Sequence, residues 1–330
     1  MRNDAIPGAD RVRGPAVRFG LMRAAAASPA MFGSMLLVLV AGGGLGAWAL
    51  VVALTWACCG AVVLTPGGER AAVRAAFGFR RPNSEPAAVL QPLWSAALRL
   101  AGASVDDVEL YVQRAWQLNA YATGGRSVAV TSRVLDDHRA GRLSDDQVVA
   151  VLVHELGHHA TGATRPMLLA MWSAAPYRAA ARLLSGTGRA LCGRQSRRDF
   201  TVMGIPVMGV AVVRAVYQGH WLAGGVAAGI ALCAVVCPLA DAWTCRRAEF
   251  AADRFAADHG CARELADALR ALHGPPSTTA GWSRRLLATH PTANERVSAL
   301  LAVPSGSWVP SQRPSGCSAR SCSGQCPGLV

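Results

Sequence analysis

The sequence predicts a mainly α integral membrane protein with a small β element. Three observations carry that expectation. Its 330 residues are 52% hydrophobic and only 16% charged, with a mean hydropathy of +0.26, which argues against a plain soluble globule. No charged residue occurs from Ala24 to Gly68, a stretch long enough for two spans of about 20 residues each. A second apolar block runs from Phe200 to Ala240, and the segments on either side of it have the charge density of soluble protein.

Six segments follow in order. Residues 1–23 form a basic N-terminal segment with Arg2, Arg11, Arg13, Arg18 and Arg23. Residues 24–68 are the first membrane block, read as a hairpin with arms at 24–41 and 45–64 that turns at Gly42-Gly43-Gly44; one long tilted helix is the alternative. Residues 69–199 are the first part of a domain with the charge density of soluble protein, with an amphipathic pattern through Val105–Leu118 and one short strand at Ser127-Val128-Ala129-Val130-Thr131. Residues 200–241 are a second membrane hairpin, with arms at 201–217 and 221–240, in which Arg214 lies near enough to an arm's end to reach the interface. Residues 242–303 are a helical second part of that domain. Residues 304–330 are a disordered tail rich in Ser, Gly and Pro, whose Cys317, Cys322 and Cys326 are irregularly spaced.

The net charge of +13 comes entirely from arginine against Asp and Glu, since the chain has no lysine. These arginines flank apolar segments in short groups rather than forming one basic-aromatic surface, so the expected partner is a lipid bilayer and not nucleic acid. Ten cysteines, half of them in or beside apolar runs, do not demand an oxidising compartment.

The chemistry is carried by His154-Glu155-Leu156-Gly157-His158. Ser144 and Gln147 form a capping-box start, and Val148–Val153 continues it as a helix. On a helix His154 and His158 stand one turn apart on one face, so both imidazoles reach one Zn2+, while Glu155 leans toward a metal-bound water as general base. His159 points about 100° away around the helix, as a supporting or surface residue. A catalytic zinc takes three protein ligands, and Thr161 and Thr164 stand where the metzincin extension requires Gly and His. The third ligand is therefore sought on a later helix. Glu249 is the preferred ligand, with Asp253 one turn on to accept the other ring N–H of a zinc histidine; Glu264, Glu295 and His259 are weaker candidates, and a solvated helix face is the plainer reading of Glu249 and Asp253.

With these residues in view, the chain resembles the HtpX-like membrane zinc metalloendopeptidases, gluzincins related to the CaaX prenyl proteases. The resemblance rests on the histidine motif, on Glu249-Phe250-Ala251-Ala252-Asp253, on Asn119-Ala120-Tyr121-Ala122-Thr123-Gly124-Gly125 with the strand after it, and on His290-Pro291 followed by Arg296. It spans about 111–300; the N-terminal region matches only as generic apolar spans. The resemblance implies a gluzincin-type zinc metalloprotease domain with one zinc per chain and polypeptide substrates, chiefly misfolded or damaged membrane proteins. It also implies that the strand at 127–131, with Val128, Ala129 and Val130, binds extended substrate beside Asn119. His290 becomes a candidate oxyanion stabiliser supported by Arg296. Rival readings are a site-specific processing protease and a non-catalytic zinc-binding membrane sensor or scaffold; retention of Glu155 argues against the scaffold.

Because Glu249 must meet His154 and His158, an even number of membrane crossings separates them, as a hairpin at 201–240 provides. Arginine on both sides of the first block favours two spans there and a cytoplasmic active site in the cell membrane.

Overall fold

The computed structural model describes residues 9–43, 46, 48–164, 167–180, 183, 209–210, 212–272 and 288–302. The cysteine-bearing tail and most of the arm expected at 201–217 lie outside the described residues. The described chain is mostly helical, with one four-stranded sheet.

Two apolar helices come first, α1 (Ala9–Gly43) and α2 (Trp48–Val62), broken near the expected glycine turn. The helix α1 begins inside the basic segment rather than after it. A turn at Val63–Thr65 leads into α3 (Pro66–Phe77), whose N-cap Thr65 accepts a hydrogen bond from Gly68 N at 3.1 Å. Among the described residues no single helix is long and apolar enough to cross a membrane; Leu50–Val62 and Pro66–Phe77 qualify only as a pair bent by 99°. The apolar surface is nevertheless exposed, with Trp48 at 67%, Leu50 at 65% and Leu54 at 55%.

The sheet contains β1 (Phe79–Arg80), β2 (Glu109–Gln113), β3 (Ala120–Thr123) and β4 (Ser127–Thr131) in the order β1-β2-β4-β3. β2 lies within the segment read from its amphipathic pattern, where Leu110-Tyr111-Val112 favours a pleated surface. β4 is parallel to β2 and antiparallel to β3, so it is an interior strand and all five of its residues are buried. Alternation sends Val128 and Val130 into the main core and Ala129 into a second cluster with Val73, Phe79, Tyr111 and Leu168. The sheet is thus covered on both faces.

The main core joins α4 (Ser84–Ala101), the short α5 (Ser132–Arg139), α6 (Asp145–Ala160), α9 (Ala262–Leu272) and α10 (Ala293–Ala302). The helix α6 is fully enclosed along Leu152–Gly157, which explains how a Val-rich run forms a stable helix: tertiary burial outweighs modest propensity. Its start is fixed by the capping box, with Gln147 N donating to Ser144 Oγ at 3.3 Å and Ser144 N donating to Gln147 Oε1 at 2.9 Å.

After α7 (Met167–Ser173) the chain reaches α8 (Trp221–Asp258), a helix of 38 residues. No break separates the apolar part near 240 from the segment carrying Glu249. Hydropathy changes there, but the Ala-rich composition that favours helix does not. At 1.5 Å per residue, Glu249 lies about 13 Å along the axis beyond Ala240.

Candidate metal centre and catalytic base

Three separate pieces of chain meet around α6. The helix α8 crosses it at Gly157, where a Cβ would come within 3.1 Å of Ala252 Cα and of the Phe255 side chain. The glycine permits this close approach, and the approach brings Glu249 and Asp253 over the two histidines. Gly157→Ala is expected to push α8 outward by a few tenths of an ångström and loosen metal binding by roughly ten- to a hundredfold while the helix stays folded. Competitive titration with a chromogenic chelator measures this; wild-type affinity would separate the helix contact from the site.

His154 Nε2 stands 3.5 Å from Glu249 Oε2, and His158 Nε2 stands 3.6 Å from Glu249 Oε1. The imidazoles are edge to face with centroids 4.8 Å apart. The three donor atoms lie within 4.8 Å of one another and could hold a metal ion. A tetrahedral ion with ligand bonds near 2.1 Å has ligand-to-ligand edges of about 3.4 Å, and each imidazole stands near that distance from one of the two Glu249 oxygens. Glu264, Glu295 and His259 are not in this group. Glu295 instead caps α10, accepting from Thr292 N at 2.8 Å.

The surrounding shell is charged and buried. Asp253, 2% exposed, brings Oδ1 to 3.0 Å from His154 Nδ1. Arg296, 7% exposed, donates to Asp253 through Nη2 at 2.6 Å and Nε at 2.9 Å, and its Nη1 lies 3.0 Å from Glu249 Oε2. A buried cation between two buried carboxylates is electrostatically consistent, because each offsets the other's loss of water. His290 sits at the rim, with Nδ1 3.0 Å from Glu249 Oε1.

These contacts set the protonation of the protein alone. Burial and the Arg296 charge pull the His154 pKa down, but Asp253 and Glu249 outweigh them and raise it to about 9. Burial lowers the His158 pKa to about 3, helped by the charges of His154 and Arg296. Burial opposes ionisation of Glu249, yet His154 and His290 hold its carboxyl well below the usual range. Burial raises Glu155 to about 7, with Glu249 adding to the shift despite the nearby cations. Without an ion, the histidine proton compensates the carboxylates, so protons and a divalent cation compete for one site.

The remaining candidates divide. Val128, Ala129 and Val130 cannot pair with substrate, because β4 already has a neighbour on each side. Beside β4 the open edge belongs to β3, one of the sheet's two edge strands and the one against which α6 packs. Thr131 N donates to Asn119 O at 3.0 Å, so Asn119, Tyr121 and Thr123 occupy the bonded positions, and alternation turns the N–H and C=O of Ala122 to the open edge. Asn119, at the strand's start, accepts from Ala120 N through Oδ1 at 3.0 Å. His159 is not idle: Nε2 lies 3.2 Å from Ser127 O and Nδ1 lies 3.1 Å from Thr164 Oγ1. The histidine motif leaves Gly157 without a role, although a glycine inside a buried helix is itself a sign of close packing.

A group that could hold a metal ion, on two crossed helices with a carboxylic acid beside it, is the arrangement a metal-dependent hydrolase uses. The model of Peptidase family M48 matches residues 84–303, and the chain belongs to that family. No curated protein matches it. The crystal structure of S. mikatae Ste24p is similar to it at 16% sequence identity and a TM-score of 0.41, over 82% of this chain and 62% of that one, so the chain spans less than two thirds of Ste24p.

Proposed function

We propose that the protein is a membrane-bound endopeptidase that uses one zinc ion held by His154, His158 and Glu249. The observation that carries this is the convergence of one donor atom each from His154, His158 and Glu249 to within 4.8 Å, with each imidazole 3.5–3.6 Å from one oxygen of the Glu249 carboxylate. Zinc, when bound, supplies Lewis acidity toward the scissile carbonyl and lowers the pKa of an attacking water. The Glu155 carboxylate accepts the proton from that water and passes it to the leaving amine nitrogen. Asp253 holds the His154 ring through Nδ1, and Arg296 holds Asp253 while its Nη2 stands 3.2 Å from His154 Nε2, the nitrogen that would face the ion. With Nδ1 of His290 on Glu249, its Nε2 is the nitrogen left to stabilise an oxyanion. Extended substrate adds to the sheet along β3, reading backbone rather than side chains at Ala122, a sequence-tolerant mode that suits quality control of damaged membrane proteins.

The membrane reading is supported by the exposed apolar faces of α2 and α8, where Trp221 is 69% and Leu232 63% exposed. Lipid covers these faces, the metal site lies just beyond the bilayer boundary, and reporter fusions at residues 20 and 90 are both expected to read cytoplasmic. The test of function is casein hydrolysis by detergent-purified, zinc-loaded protein. Turnover that a chelator stops and zinc restores is expected, with the protein floating alongside phospholipid vesicles. Chelator-resistant turnover would refute the metal mechanism, and protein that stays at the bottom of the gradient would refute the membrane placement.

A further inference from the structure

We propose that Glu69 is a positioning residue that sets the substrate strand against the metal site; the inference rests on the reading of β3 as that strand. Glu69 lies in the first turn of α3 and is only 6% exposed. Its carboxylate is filled by one turn of chain, the link between β3 and β4. Oε2 accepts from Gly125 N at 3.0 Å, while Oε1 accepts from Arg126 N at 2.9 Å and from Ser127 Oγ at 2.7 Å. A buried carboxylate is tolerated when donors satisfy it in this way.

The turn is shaped around the carboxylate. Gly124 has φ +67°, and a Cβ there would come within 2.7 Å of Glu69 Cδ and Oε1, so both backbone conformation and space demand glycine. Ser127, gripped by Glu69 on its hydroxyl, is met from the other side on its carbonyl oxygen by His159 Nε2 at 3.2 Å. His159 is the neighbour of His158, so the end of the hairpin is clamped between α3 and the metal-bearing end of α6. A shift of this turn moves the open edge at Ala122 relative to His158. Because α3 departs from the apolar α2 at 99°, Glu69 also ties the substrate strand to the elbow nearest the lipid-facing surface. Neither the zinc ligands nor the proton transfers require Glu69, which makes its effect separable from theirs.

The test uses the zinc-loaded full chain in detergent with two fluorogenic substrates, one long enough to pair along β3 and one spanning little more than the scissile bond. Glu69→Gln sets an amide N–H2 against Gly125 N–H while keeping the side chain's size. KM for the long peptide should rise roughly ten- to a hundredfold, with kcat/KM for the short one and zinc content unchanged. Ser127→Ala, which removes one donor, should give a smaller change of the same sign. Equal loss on both substrates, or an unchanged KM for the long peptide, would overturn the proposal. Ala122→Pro removes the outward N–H at a position where an edge strand tolerates proline. Raised KM in Ala122→Pro with wild-type KM in Glu69→Gln would sink the role of Glu69 alone, whereas wild-type kinetics in Ala122→Pro would sink the substrate-strand reading beneath it.

Discussion

Replacing Glu155 by Gln is expected to reduce kcat by at least about a hundredfold, and toward ten-thousandfold, with zinc still bound at one per chain. The amide has the carboxylate's shape but cannot accept the proton of an attacking water. Glu155 is absent from the group of three that could hold the ion, so metal retention should be unaffected. The same variant carries a pH signature in the metal-free protein. Burial raises the Glu155 pKa from 4.5 to about 7, so the folded state disfavours the carboxylate that the unfolded chain accepts readily. This penalty is absent below pH 4.5, grows as pH rises above it, and is complete above about 7. Metal-free Glu155→Gln should therefore melt higher than wild type at pH 8 and at the same temperature near pH 4. Thermal unfolding at both values checks the sign; a lower Tm at pH 8 would show that the carboxylate has a stabilising partner there.

Glu249→Ala has the second large effect and a different pattern. It removes one of the three groups that could hold the ion, and it leaves Asp253 as the carboxylate paired with Arg296. Loss of a supporting residue around a metal ligand typically costs ten- to a hundredfold in affinity, so loss of the ligand itself should exceed about a hundredfold. Activity should fall in parallel and return partly at high zinc, unlike Glu155→Gln, which zinc cannot rescue. Glu249→Asp, with its carboxylate drawn back by one methylene, should fall between. Unchanged affinity in Glu249→Ala would move the third ligand elsewhere.

The centre of this site was legible because it is local. The spacing of His154 and His158 and the Ser144–Gln147 cap follow from helical periodicity, and α6 forms between the expected signals. The Glu249 and Asp253 pair was legible for the same reason, being one turn apart on one helix. What the sequence hid depends on pairing across the chain. Ala120-Tyr121-Ala122-Thr123 carries two alanines, weak strand formers, and becomes a strand because β4 lies beside it. Ser127–Thr131 carries the better strand pattern, which is the pattern of the buried neighbour rather than of the open edge. The division expected near residue 241 followed hydropathy, while helix continuity in α8 follows backbone propensity, and the two need not change together. Glu69 is 56 residues from its first partner in the turn, beyond anything a local pattern encodes.

The most direct test of the account is X-ray absorption at the zinc edge of the purified, zinc-loaded protein, compared with Glu249→Ala. The account predicts a shell of nitrogen and oxygen only at about 2.0–2.2 Å, with the multiple-scattering signature of two imidazoles, and one oxygen fewer from protein in the variant. A sulfur shell near 2.3 Å, drawn from the chain's ten cysteines, or a shell unchanged by loss of Glu249, would contradict it.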